Sequence, residues 1–480
     1  MTLVAGIDSS TQACKVVVSD LATGQRVREG RAPHPDGTIV DPEAWWQALL
    51  VAVARAGGLA DVSAVSVSGQ QHTPVFLGAD GEVVCPSPLW NDTGSHGAMV
   101  ALNDELGRGE WIRRTGLPLT LSDTAPKLRW LRDERPEAAR RVAAVAIVHD
   151  WLTWRLTGRG DGALFDGLVT DRSEASGTAY WSGATGEYDL ELLEHAFGRR
   201  VVLPRVLDPL GRAGTTRRGL PGVPAGIPVG VGSGDNAAAA LALGLAEGDA
   251  VLSLGTSGVV YLRSADPVED HDGFVCSYAD ATGDHLPLVA TLNAARNFGV
   301  GTRLLGCGHA ELSDLALRAE PGAGGLALLP YFEGERTPDL PDARGSLHGV
   351  TLTNLTRENL ARAVVEGTLA GQLTMLDNLR ACGLEPRRLL LIGGAAESEA
   401  VQVVLAQLSS VPVAVPTPDE YVAKGASMQA ASALTGAFPS WPAHVVDLPS
   451  VPPQPQVLDQ HESAKAALGY PLAKAVARAL

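Results

Sequence analysis

Two stretches far apart in the chain follow one pattern: "LVAGIDSSTQACKVVVSD" from Leu3 to Asp20, and "DAVLSLGTSGVVYLRS" from Asp249 to Ser264. Each is an apolar run, a turn of small hydroxyl residues and glycine, and a second apolar run. That is the pattern of a strand, a tight turn and a returning strand. Identity between the two is low, but the recurrence predicts two domains of similar design, each offering a loop of small residues. The length, 480 residues, agrees, because single hydrophobic cores stop growing well below that size.

Between and after these hairpins, short apolar runs alternate with helical segments, which defines an α/β class. The spacing predicts strands at Leu3–Ile7, Lys15–Ser19, Ala64–Ser68 and Thr73–Leu77, the last entering a hairpin through "GADGE". Helices are predicted at Pro42–Ala56 behind an Asp41 cap, at Ser95–Leu106, Pro126–Arg132 and Trp151–Leu156. In the second half a long helix is expected over Asn359–Ala381, with Thr356 as its cap and Gly383 as its stop. The strand "RLLLIGG", a helix over Glu399–Leu408, the strand "VPVAVP" and a helix over Tyr421–Leu434 follow. The division is expected near Gly244–Gly248, giving units 1–246 and 247–440 and a remainder 441–480. Residues 446–458 are rich in proline and read as an extended strap rather than an element.

The net charge of −16 argues against nucleic acid or an anionic membrane as the main partner. The five cysteines are scattered without a CxxC pair, which fits reduced thiols in a cytoplasmic protein better than disulfides or zinc. The first residues carry no basic n-region, and no apolar stretch is long enough to span a bilayer.

One run concentrates the chemistry. In "IPVGVGSGDNAAAALALG" an apolar strand, Ile227–Val231, enters a glycine-rich turn and then an alanine–leucine helix, with Asp235 the run's one acid. Glycine allows close approach of backbone and substrate, and a carboxylate there can accept a proton. The same carboxylate also fits a helix cap, and the run alone leaves both readings open. Three loops add to it. Asp8-Ser9-Ser10-Thr11, beside Lys15, presents a carboxylate and hydroxyls whose backbone amides suit phosphate oxygens, and the acid suits Mg²⁺. Gly255-Thr256-Ser257-Gly258 offers similar groups from the second half, and Gly393-Gly394-Ala395 lets a flat adenosine ring approach the chain. No GxxxxGK[ST] loop is present. Gln70-Gln71-His72 and Trp90-Asn91-Asp92 can line a pocket for a polyhydroxylated ligand.

At these residues the chain resembles the FGGY family of carbohydrate kinases, within the actin-like ATPase superfamily of paired ribonuclease H-like domains. "SDTAPKLRWLRDE" (122–134) and "GSLHGVTLTNLTRENLARAVVE" (345–366) resemble the family's two signatures. "GQQH", "LWND", "GSGDN", "LSLGTSG", "PYFEGERTP" and "EYVAKGA" are most similar to the members that act on D-xylulose. Three positions depart from the pattern: Gln71 stands where methionine is common, Gly94 where arginine is common, and Glu397 where a basic or neutral residue is usual.

The resemblance implies Mg-ATP-dependent phosphorylation of D-xylulose at its 5-hydroxyl. Asp235 is implied as the general base and Asp8 as the acid near metal and phosphates. Gln71, His72, Trp90 and Asn236 are implied at the sugar. Ser9, Ser10, Thr11, Lys15, Gly255, Thr256 and Ser257 are implied at the phosphates, and Gly393, Gly394, Ala395 and Ser398 at adenosine. It allows a homodimer. The alternatives are another kinase of the family, acting on ribulose, gluconate or glycerol, and a non-catalytic actin-like ATPase or sugar sensor.

Overall fold

The computed structural model describes residues 1–158 and 162–472. Two seven-stranded mixed sheets organise it. In the first, Leu3–Ser9 runs antiparallel to Ala13–Asp20 and parallel to Val62–Gly69. In the second, Asp249–Leu254 runs antiparallel to Gly258–Leu262 and parallel to Arg388–Ile392. The recurrence in the sequence is therefore one topology used twice. Leu3–Ser9 is buried along its whole length, as expected of a central strand covered on both faces.

Helices from opposite halves interlock between the sheets. Asp235–Leu243 sends Ala240 and Leu243 into a cluster with Val251, Leu390 and Ala414 of the second sheet. Tyr421–Thr435, late in the chain, lies on the first sheet instead. A Cβ on Gly6 would run into the Ala423 carbonyl, and one on Gly425 would run into the Ala238 carbonyl. Glycine at these two positions lets helix meet strand and helix meet helix at backbone distance.

The long helix spans Arg357–Ala381, with the Thr356 hydroxyl accepting the Asn359 N–H and Gly383 left-handed at φ 81° beyond its end. Pro42–Arg55 starts on an Asp41 cap that accepts the Glu43 N–H. The strap expectation for 446–458 holds for residues 448–454, which form no helix or strand, but not for its two ends. Val445–Asp447 pairs with Val413–Pro416, and Pro455–Ala467 is a helix with Val457, His461, Ala464 and Lys465 buried. The prolines end where the helix begins: Pro455 occupies its first turn, where a missing N–H costs nothing. The expected strand at Ile227–Val231 is shorter, Pro228–Gly230, and the chain re-enters the sheet at Ser233–Gly234 immediately before Asp235. Among the described residues all five cysteines are free, and no helix is long and apolar enough to cross a membrane.

Candidate active site

The loops singled out in the sequence converge where the two sheets face each other. A cavity of 270 Å³ is lined from the first half by Thr11, Gln71, His72, Trp90, Asp235 and Asn236, and from the second by Gly255, Thr256 and Ser257. Asp235 and Asn236 also line a second space, of 580 Å³, with Gly393, Gly394 and Glu420. Gly255 and Thr256 also line a third, of 730 Å³, with Gly394, Ala395 and Ser398. The three share walls, with Asp235 and Asn236 between the first two and Gly394 between the second and third.

Asp235 is the first residue of its helix, behind the Gly234 cap, so its carboxylate serves a first-turn N–H of the helix while it also lines the cleft. Its Oδ1 accepts from the Asn236 backbone at 2.7 Å and from Asn236 Nδ2 at 3.0 Å. Burial raises its pKa to about 7, the Asp8 carboxylate adds to the rise, and the Asn236 N–H opposes it. A carboxylate so tuned can take up a proton near neutral pH.

Asp8 is the last residue but one of the first strand. Its Oδ1 accepts from Ser10 Oγ at 2.6 Å, and Lys15 Nζ lies 3.7 Å from its Oδ2. Burial, outweighing Lys15, raises its pKa to about 6. Lys15 also donates to Glu420 Oε2 at 2.6 Å, joining the first hairpin to the segment that opens the Tyr421–Thr435 helix. Ser9 is buried with no partner for its hydroxyl, and the Thr11 hydroxyl accepts from Trp90 Nε1 at 2.9 Å. Asp8, Ser9, Ser10 and Lys15 do not line the cavities described above; of this hairpin's predicted residues only Thr11 does, and Ser10 serves Asp8.

His72 holds a left-handed backbone, φ 70°, unusual for a side chain of its size. Its Nδ1 sits 2.7 Å from the Gly177 carbonyl and must carry the hydrogen there, which leaves Nε2 as an acceptor on a ring that lines the cavity. Burial lowers its pKa, so the ring is neutral at pH 7. Gln71 Nε2 donates to the Ser173 carbonyl at 3.1 Å.

Among the lining residues that sequence reasoning left out are Ser122, Tyr278 and Arg336. Ser122 and Arg336 lie inside "SDTAPKLRWLRDE" and "PYFEGERTP", so their segments were noticed without their side chains. Arg336 comes from the second half and reaches Thr120 Oγ1 of the first at 3.4 Å. Buried Lys127 holds the loop beneath Ser122 by donating to the carbonyls of Leu121, Ser122 and Asp123. Among the described residues no group of three or more His, Cys, Asp or Glu is arranged to hold a metal ion.

Residues 3–242 match the N-terminal domain of the FGGY family of carbohydrate kinases, and residues 250–434 match its C-terminal domain. The chain belongs to that family, and it is a phosphotransferase with an alcohol group as acceptor. It is similar to a xylulose kinase of Streptomyces coelicolor, at 44% identity over 443 residues, 90% of this chain and 88% of that protein. The crystal structure of a xylulose kinase from Bifidobacterium adolescentis superposes with a TM-score of 0.90 at 41% identity, covering 97% of this chain and 99% of that one. A glycerol kinase of Alkalilimnicola ehrlichii is 31% identical over 470 residues, 92% of each chain.

Proposed function

We propose that this protein phosphorylates D-xylulose at its 5-hydroxyl with ATP, with Asp235 as the general base. The observation that carries the reading is the position of Asp235, at the wall shared by a cavity lined with amide, imidazole and indole groups and a space edged by the Gly393-Gly394 turn. Support for xylulose over other sugars comes from full-length relatives above 40% identity that are named xylulose kinases.

In this reading residues 1–246 hold the sugar and the first phosphate loop, residues 247–440 hold the nucleotide, and within the remainder 441–480 the strand Val445–Asp447 and the helix Pro455–Ala467 brace the second unit. The sugar lies against Gln71, His72, Trp90 and Asn236. Asp235 accepts the hydroxyl proton as the oxygen attacks the γ-phosphorus, and ADP leaves on the opposite side. Thr11 and the small loop at Gly255–Ser257, with Lys15, donate hydrogen bonds to the phosphates from the two sides of the cleft, while Ser9 and Ser10 stand behind the wall and Ser10 holds Asp8. Gly393, Gly394, Ala395 and Ser398 carry adenosine. The rate advantage is mostly positioning and charge neutralisation.

Mg²⁺ fits the donors at hand. It prefers oxygen, keeps several waters, and is commonly held by one or two carboxylates plus substrate phosphates rather than by an all-protein cage. Asp8 is such a carboxylate; it is buried behind the cleft wall rather than on it, so in this reading it would hold the ion through water, and a cation beside it would favour its ionised form. Bound with ATP, the ion would spread the charge of the β- and γ-phosphates. A cytoplasmic setting belongs to the same reading and agrees with five unpaired cysteines. A homodimer is decided by light scattering of the purified protein, with the monomer mass as the contrary result.

The test is product analysis. Incubation with D-xylulose and Mg-ATP is expected to give xylulose 5-phosphate and ADP in equal amounts. ADP release that favours ribulose, gluconate or glycerol by kcat/KM over D-xylulose moves the activity to another member of the family. Nucleotide binding with no phosphorylated product from any of the four identifies a non-catalytic ATPase or sugar sensor.

A further inference from the structure

Behind the base lies a short helix, Arg172–Ser176, that none of the family segments quoted above contains. Its cap, Asp171, is buried, and Oδ2 accepts from the Ser173 N–H at 2.8 Å and from Ser173 Oγ at 2.6 Å. The hydroxyl oxygen of Ser173 in turn accepts the N–H of Gly234, the residue before Asp235, at 3.0 Å. The carbonyl of the same serine accepts from Gln71 Nε2. Gly234 lies flat on that amide, since a Cβ there would fall 2.6 Å from the Gln71 side chain. One turn on, Ser176 Oγ accepts the N–H of Ala279, on an edge strand of the second sheet.

We infer that Ser173 is a positioning residue for the transfer: its hydroxyl fixes the backbone that presents Asp235, and its carbonyl fixes the amide of Gln71. The inference rests on Asp235 being the base. Ser173 is fully buried and does not line the cavity, so it acts through these two neighbours. The turn it grips needs an anchor. "GVGSG" has three glycines ahead of the aspartate, and Gly232 stands at φ 88°, so local stereochemistry restrains the turn little. The Gly234 N–H is a buried donor whose partner is this hydroxyl. Ser233–Gly234 also pairs with Ser68–Gly69, and Gln429 Nε2 donates to the Gly232 carbonyl, so removing the hydroxyl leaves the Gly234 donor unpaired and loosens the last step before the carboxylate rather than the whole turn. Asp171 orients the hydroxyl by taking its hydrogen, which leaves the oxygen lone pairs for Gly234. The link from Ser176 to Ala279 ties the same helix to the second sheet, so the turn is referenced to both halves of the cleft.

The experiment compares Ser173→Ala, Asp171→Asn and Asp235→Asn with the full-length enzyme, measuring kcat, KM for D-xylulose, KM for ATP and thermal melting. For Ser173→Ala the expected result is a kcat between about tenfold and a hundredfold lower. KM for the sugar rises severalfold through Gln71, and KM for ATP stays within twofold. A merely structural serine would move the two KM values together, or neither. Asp171→Asn leaves the Ser173 hydroxyl in place and keeps one acceptor oxygen, but it replaces a charge-assisted hydrogen bond by a neutral one and leaves a single acceptor for the donors of Ser173 and Glu174; it is expected to give the same split at a smaller, severalfold magnitude, and it carries the test if Ser173→Ala does not fold. A kcat within twofold of the parent for the folded variants, or parallel losses at both substrates, overturns the inference. Asp235→Asn separates the two levels. If it keeps near-normal turnover, the base assignment fails and the inference with it. If it is inactive while Ser173→Ala is unchanged, only the positioning role fails.

Discussion

The pH dependence of turnover is the sharpest consequence of how Asp235 is housed. Base catalysis needs the ionised carboxylate, and burial together with Asp8 holds its proton to about pH 7. The kcat/KM for the sugar, which reports the free enzyme, should therefore rise with pH through about 7 and level off above it. One unit below that midpoint roughly a tenth of the sites are ionised, so the rate at pH 6 should be about tenfold under the plateau. Asp8, raised to about 6 with no cation beside it, adds a second ionisation further down the limb at low Mg²⁺, which saturating Mg²⁺ removes. Aspartates at their ordinary value of 3.8 would give a flat profile across the same range.

The shift also bears on stability. The folded chain holds the Asp235 proton more tightly than the unfolded chain does. This contribution is thus complete below about pH 3.8 and is lost as pH rises through about 7. Three units correspond to roughly 4 kcal/mol, which solvent in the open cleft reduces to about 2 kcal/mol. Asp235→Asn has no charge to bury. It should melt a few degrees above the parent at pH 8, with the gap closing toward pH 4, while turnover falls by about 10² to 10⁴. A coupled ADP-release assay from pH 5.5 to 8.5 reads the first effect, and calorimetry at the two pH values reads the second. A flat profile, or an Asn variant within tenfold of the parent, refutes the assignment.

Three further outcomes are expected. His72→Ala should weaken sugar binding more than nucleotide binding in titration calorimetry, because its Nε2 faces the polar cavity; equal losses would put the ring outside the sugar site. Lys15→Met should raise KM for ATP by roughly tenfold, the scale of one charge-assisted hydrogen bond, and push the acid limb to higher pH, since Lys15 lowers the pKa of Asp8. An unchanged KM would mean that Glu420 keeps Lys15 from the phosphates. Ending the chain after residue 453 removes the helix Pro455–Ala467 with its buried Val457 and Ala464, at a cost of about 3 kcal/mol. Melting as high as the full chain would contradict the packing of that helix.

Much of this architecture was legible because it rests on local chemistry. The paired hairpins could be read from apolar runs broken by small hydroxyl residues, and the long helix from the Thr356 cap and the Gly383 stop, all signals within a few residues of the structure they specify. The terminal helix was missed because proline density outweighed a sparse apolar face: Val457, His461, Ala464 and Lys465 are spaced for a helix, but two of the four are polar. Arg336 and Ser173 were missed for a different reason. Arg336 is one of many arginines until the fold carries it across the cleft to Thr120, and Asp171–Ser173 is an ordinary cap until Ser173 meets Gly234, 61 positions away. Local sequence names the groups that carry the chemistry, because a base or a phosphate loop needs a particular side chain on a particular turn. The groups that hold them in place are recruited by contact, and a serine or an arginine serves in that role wherever the topology delivers it. Changes to such supports should therefore act on kcat while the recognisable motifs remain intact, and for that reason Ser173 is the more informative residue to alter after Asp235.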